Sequence, residues 1–141
     1  MPISVSKAPM EAMLAIPEEP LGVPVLSEIR AIVEEKADEF GVDKALAVDL
    51  ATFESGMNPE ARSNRSSATG LYQFISKTFE DYCTGERTNP VDNAGCAMKL
   101  ISEGGISHWL ADENTKAFLI RKGYVECSEI CGLKPHLLTK R

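Results

Sequence analysis

Residues 43–74 read DKALAVDLATFESGMNPEARSNRSSATGLYQF. The first part, from Asp43 to Ser55, has a helical pattern. Ala45, Leu46, Ala47, Val48, Leu50, Ala51 and Phe53 make it apolar on most sides, the mark of a buried helix. Asp43 stands where an N-cap belongs, and Gly56 stops the run. The second part changes character. Gly56, Asn58-Pro59, Ser63-Asn64, Ser66-Ser67 and Gly70 are turn formers, so residues 56–75 read as irregular structure, with room for a small β-hairpin within 60–75.

The flanks are helical as well. Val25, Leu26, Ile29, Ile32, Val33, Ala37 and Phe40 recur at three- and four-residue steps, with Ser27, Glu28, Glu34, Glu35 and Glu39 on the other side. Gly41 sits where a helix C′ glycine belongs. Downstream, a short helix is expected from Ser76 through Tyr82, another from Val91 to Ser102, and a last one from Glu113 to Lys122. TGERTNP between the first two is a loop. No strand-like alternation and no internal repeat is evident. The expected class is mainly α. Residues 1–24 are proline-rich and aperiodic, which predicts an extended or disordered arm before one domain spanning 25–141.

Glu54 stands out because its type suits its place poorly. It lies in the last turn of the apolar helix, one turn after Leu50 and beside Phe53. The partial negative charge of a helix C-terminus disfavours a carboxylate there. Apolar surroundings disfavour the charged form too. Both push the carboxyl upward, the direction a general acid needs near neutral pH. Taken alone, a glutamate at a helix end more often just reaches solvent.

The residues after it decide between those readings. Glu54-Ser55-Gly56-Met57-Asn58-Pro59, Ala61, Ser63 and Ser67-Ala68-Thr69-Gly70-Leu71-Tyr72-Gln73-Phe74 together resemble the core motif of the soluble lytic transglycosylase (SLT) family. Thr78-Phe79 matches a following position of that motif. Asn93 and Gly95 match its asparagine and glycine at the start of the next core helix. The resemblance covers about residues 43–104. It implies a lysozyme-like, α-rich, two-lobed domain with a substrate cleft. It implies cleavage of the β-1,4 bond between N-acetylmuramic acid and N-acetylglucosamine in peptidoglycan. Carried over, Glu54 becomes the catalytic residue and Ser63 a cleft hydroxyl. Gly70, Tyr72 and Gln73 become part of the wall of the sugar groove, with Gln73 a polar contact. The chain departs from the family in lacking a downstream Y-N-A-G segment, whose tyrosine lies beside the glutamate. Gly104-Gly105-Ile106-Ser107-His108-Trp109 stands there instead. Tyr72 and Tyr124 are candidates for the missing hydroxyl, and the sequence does not choose between them.

Two-carboxylate glycosidases place their pair roughly 5–9.5 Å apart. No second carboxylate is patterned around the motif. Asp49 is too far round the helix to share the face of Glu54. Glu60, Asp81 and Asp92 read as solvated surface charges. The transglycosylase route works with one group: Glu54 protonates the leaving oxygen, then takes the proton of the C6 hydroxyl that closes a 1,6-anhydro ring. It needs no metal and no cofactor. The competing readings are a hydrolytic muramidase of the same fold and a non-catalytic glycan-binding or assembly module.

Composition narrows the partners. At 43% hydrophobic and 26% charged residues, the 141-residue chain has the make-up of an ordinary globular domain. Its net charge of −6 argues against a nucleic-acid partner, which calls for a basic footprint. No apolar run is long enough to span a bilayer. The expected partner is the peptidoglycan glycan strand, met by a monomer at the cell wall. Lys7 before the short stretch Met10–Ile16, interrupted by Glu11, does not make a signal peptide. Of the four cysteines, Cys83 and Cys96 bracket the TGERTNP loop and can close a disulfide across it. Cys127 and Cys131 are four apart and can pair if the backbone permits. With His136 they match no common zinc spacing. His108, Trp109 and Phe74 read as core side chains at least as readily as site residues.

Overall fold

The computed structural model describes residues 25–126. Six helices follow in chain order: α1 Leu26–Phe40, α2 Lys44–Ser55, α3 Ser76–Tyr82, α4 Pro90–Ser102, α5 Ser107–Leu110 and α6 Glu113–Arg121. Local chemistry sets their ends. The Asp43 carboxylate accepts the Ala45 N–H at 3.1 Å and starts α2. Asn89 does the same for α4, accepting from Val91 N and Asp92 N, with Pro90 at the first helical position. Gly41 and Gly56 close α1 and α2 in the left-handed conformation, at φ of 72° and 65°.

The packing follows the apolar stripes. α1 lies against α4 and α2, α6 also packs on α2, and α5 adjoins α6. Ile29, Val33 and Ala37 of α1 meet Ala47, Leu50 and Ala51 of α2 and Ala94, Ala97 and Met98 of α4 in one buried cluster. The many alanines let the helices approach closely. The loop before α3 supplies the large groups: Leu71, Tyr72 and Phe74 are fully buried. The Phe74 ring meets Phe79 and Trp109 edge to face, with centroids 5.4 and 5.6 Å away. The Trp109 indole N–H donates to the Tyr72 carbonyl at 3.0 Å. Cys83 and Cys96 form a disulfide that joins the end of α3 to α4.

Three expectations are corrected. α2 is not apolar and buried on most sides: its buried residues are Ala47, Leu50 and Ala51, while Phe53 is 40% exposed. The helix is covered by α1, α6 and the loop that carries Tyr72, and Thr52 and Phe53 stay exposed. Val25 and Leu26 do not join the core, and Leu26 is 64% exposed. Burial of the α1 stripe begins only at Ile29. The hairpin within 60–75 reduces to two isolated antiparallel bridges, Arg62 with Thr69 and Thr69 with Phe74. The turn formers there fold the chain back too tightly for a ladder. The sequence pattern also does not announce α5, since four residues cannot carry a helical stripe. The arm 1–24 and the Cys127, Cys131 and His136 group lie outside the described residues.

Candidate active site

The last turn of α2 brings Glu54 to the seam between α2 and α6, where it is partly buried. Its Oε2 lies 2.7 Å from the Thr115 hydroxyl oxygen, within hydrogen-bond distance. Thr115 belongs to α6 and is fully buried. The same hydroxyl oxygen lies 2.8 Å from Oδ2 of Asp112, the α6 N-cap, which also accepts the Thr115 backbone N–H at 3.3 Å. Three further contacts hold the seam. Phe53 stacks on Phe118 with ring centroids 4.4 Å apart and planes 18° from parallel. On the N-terminal side of that stack, the Tyr124 hydroxyl donates to Asp49 at 2.5 Å, and Lys122 pairs with the same carboxylate at 3.6 Å. Partial burial, then the hydrogen bond to Asp49, pushes the Tyr124 phenol up to about 12.

The loop from Ala61 to Phe74 is built on backbone contacts. The Ser63 N–H donates to the Ala68 carbonyl at 2.9 Å, and the Ser63 hydroxyl accepts from Arg65 N at 3.0 Å. Ser63 is partly buried, and this hydroxyl contact is local loop ordering. The Gln73 amide donates to the carbonyls of Ala61 and Gly70 at 3.2 and 2.9 Å. Those bonds tie the loop across its neck and hold Gln73 at a left-handed φ of 56°. Gly70 sits at φ 92°, where an added Cβ would lie 2.2 Å from Asn93 Nδ2 and 2.3 Å from the Arg87 carbonyl. That requirement alone explains a glycine.

Tyr72 does not line a surface. It is fully buried, and its hydroxyl donates to the Ala47 carbonyl of α2 at 2.6 Å. Burial drives its phenol far above the ordinary tyrosine value. Its contact with a sugar is therefore replaced by a structural role. Asn93 is fully buried too: its side chain accepts from Tyr72 N at 3.0 Å and donates to the Arg87 carbonyl at 2.8 Å. The Arg87 guanidinium in turn donates to the carbonyls of Ser67 and Phe74. Ser63, Gly70 and Gln73 are thus brought together in one loop, and Tyr72 fastens that loop to the helix that carries Glu54.

Sequence reasoning missed Thr115 and Asp112. The cap signal at Asp112 is readable, since an acidic residue opens a helical run there. The contact of Thr115 with Glu54 is not readable, because it spans 61 residues of chain. Among the described residues no three His, Cys, Asp or Glu side chains gather to hold a metal.

A helical core of this kind, with a glutamate ending one helix and a tied loop fastened beside it, defines an α-rich, lysozyme-like domain. Within that class the chain belongs to the transglycosylase SLT domain family, whose family model matches residues 31–105, more than half of the chain. The match takes in Glu54, Ser63, Gly70 and Gln73 and stops short of α5 and α6. It points to transglycosylase action on peptidoglycan. Neither curated proteins nor solved structures give a significant match. Among the described residues no helix is long and apolar enough to cross a membrane.

Proposed function

We propose that this chain is a lytic transglycosylase that cleaves the β-1,4 bond between N-acetylmuramic acid and N-acetylglucosamine, with Glu54 as its single acid and base. Membership of the SLT family supports the class of reaction. The observation that carries the residue assignment is the partly buried Glu54 carboxyl at the C-terminal turn of α2, hydrogen-bonded to a buried hydroxyl.

In the acid step the protonated Glu54 gives its proton to the glycosidic oxygen, and the C1–O bond breaks. The N-acetyl carbonyl of the substrate stabilises the charge developing at C1. In the base step the Glu54 carboxylate removes the proton of the C6 hydroxyl, whose oxygen bonds to C1. The product ends in a 1,6-anhydro ring, no water is consumed, and Glu54 regains its proton. One group serving as both acid and base works best with a protonation equilibrium between the demands of the two steps.

A hydrolase would use a second carboxylate and a water. Asp112 is linked to Glu54 through Thr115, but its oxygen also caps the backbone of α6, the duty of a structural carboxylate. That favours the one-carboxylate route. The test is mass spectrometry of the muropeptides released from purified peptidoglycan. Wild type is expected to leave anhydro ends, and Glu54→Gln to release almost nothing. Reducing ends would indicate a muramidase. Unimpaired release by the glutamine variant would sink the assignment.

A further inference from the structure

Thr115 has one hydroxyl proton and two carboxyl oxygens in hydrogen-bond range, Glu54 Oε2 at 2.7 Å and Asp112 Oδ2 at 2.8 Å. Thr115 is fully buried. If both carboxyls were ionised, that single proton would be split between two anions or leave one contact as two opposed lone pairs. Either arrangement is costly in a buried place. Each contact is a full hydrogen bond when one carboxyl carries a proton and the hydroxyl passes the bond on to the other.

The two helices decide which carboxyl that is. Asp112 Oδ2 already accepts the Thr115 backbone N–H, so it is an acceptor. It also stands at the N-terminus of α6, where the helix dipole favours a negative charge. Glu54 stands in the last turn of α2, where the dipole opposes one. Proton count and dipoles therefore agree. We infer that Thr115 and Asp112 are positioning residues that keep Glu54 protonated at rest: Glu54 O–H donates to Thr115 Oγ1, and Thr115 O–H donates to Asp112. The inference rests on the reading of Glu54 as acid and base.

The other charged groups along this seam are Asp43, Lys44 and Asp49 on the α2 side, and Glu113, Lys116, Arg121 and Lys122 on the α6 side. Asp49 is paired with Tyr124 and Lys122, Lys116 with Glu113, and Arg121 lies over the Phe118 ring. Asp43 caps α2, and Lys44 pairs with Asp38. Asp112 is the one the hydroxyl links to Glu54.

The test is a ¹³C NMR titration of the Glu54 side-chain carboxyl in the full chain, with the resonance assigned by its loss in Glu54→Gln. Thr115→Val is isosteric and is expected to lower the titration midpoint of Glu54 by about one pH unit, because the acceptor of its proton is gone. Thr115→Ser keeps the hydroxyl and is expected to match wild type. Asp112→Asn keeps a good helix cap but removes the charge, and is expected to lower the midpoint as well. An unchanged or raised midpoint in Thr115→Val, or a serine variant that behaves like valine, overturns the inference. The readout needs no turnover. Failure of the Glu54 assignment shows instead in the muropeptide products, so the two outcomes stay apart.

Discussion

The Tyr72 hydroxyl donates to the backbone carbonyl of Ala47 over 2.6 Å, fastening the 61–74 loop to α2 roughly two helical turns before Glu54. The bond is fully buried, and the Tyr72 ring also meets Trp109 edge to face at 6.4 Å. Tyr72→Phe keeps the ring and removes the bond. It is expected to cost about 1 kcal/mol of stability, the net worth of one ordinary buried hydrogen bond. Urea unfolding monitored by circular dichroism measures it. No loss would mean that the loop is held by Asn93 and the ring packing alone.

Two glycines in the same conformational region are expected to respond differently. Gly41 is at φ 72° with nothing near the position of an added Cβ, so Gly41→Ala pays only the left-handed backbone cost, about 1 kcal/mol. Gly70 is at φ 92° and faces Asn93 and the Arg87 carbonyl at 2.2 and 2.3 Å. Gly70→Ala must push apart a buried side chain and a backbone carbonyl as well. It is expected to lose roughly 3 kcal/mol or more. Paired unfolding curves check the ranking, and equal losses would refute the crowding argument.

These two glycines show what the sequence made legible. Gly41 and Gly56 announce helix ends through a purely local rule, and both ends fall where the pattern puts them. The Asp43 cap and the α3, α4 and α6 boundaries are local in the same way. The need for glycine at position 70 comes from Arg87 and Asn93, neighbours in space but not in sequence. Phe53 reads as core from its helix alone, yet it stays 40% exposed with its ring stacked on Phe118 of α6. Glu54 was legible through its misfit with a helix C-terminus and through the motif that follows it. Its partner Thr115 was not, since a lone threonine three residues after a cap reads as ordinary α6 sequence.

The Cys83–Cys96 disulfide closes a loop with a sequence separation of 13 residues. In the chain-entropy account a loop of that size contributes about 3 kcal/mol by restricting the unfolded chain. The double variant Cys83→Ser/Cys96→Ser is expected to melt well below wild type, and a reductant is expected to bring wild type down to a similar temperature. Thermal scans with and without dithiothreitol test this. A wild-type melting point unmoved by full reduction, verified by thiol counting, would contradict it.

The Tyr124–Asp49 bond sets an alkaline limit on the α2–α6 seam. Folding raises the Tyr124 phenol from its ordinary value of 10.0 to about 12, through burial first and the Asp49 hydrogen bond second. Below pH 10 both the folded and the unfolded chain hold this proton, so the stabilisation is fully present. Between pH 10 and about 12 the unfolded chain releases the proton while the folded chain keeps it, so unfolding becomes easier as pH rises. Above that window the folded protein also loses the proton, and the phenolate faces the Asp49 carboxylate. Tyr124→Phe is expected to be less stable than wild type near neutrality and to lose less stability across the alkaline window. Urea midpoints at pH 8, 10 and 11 (about one unit of spacing at the step that matters) make the comparison. Parallel curves for the two proteins would show that the hydroxyl does not couple the end of α6 to the helix bearing Glu54.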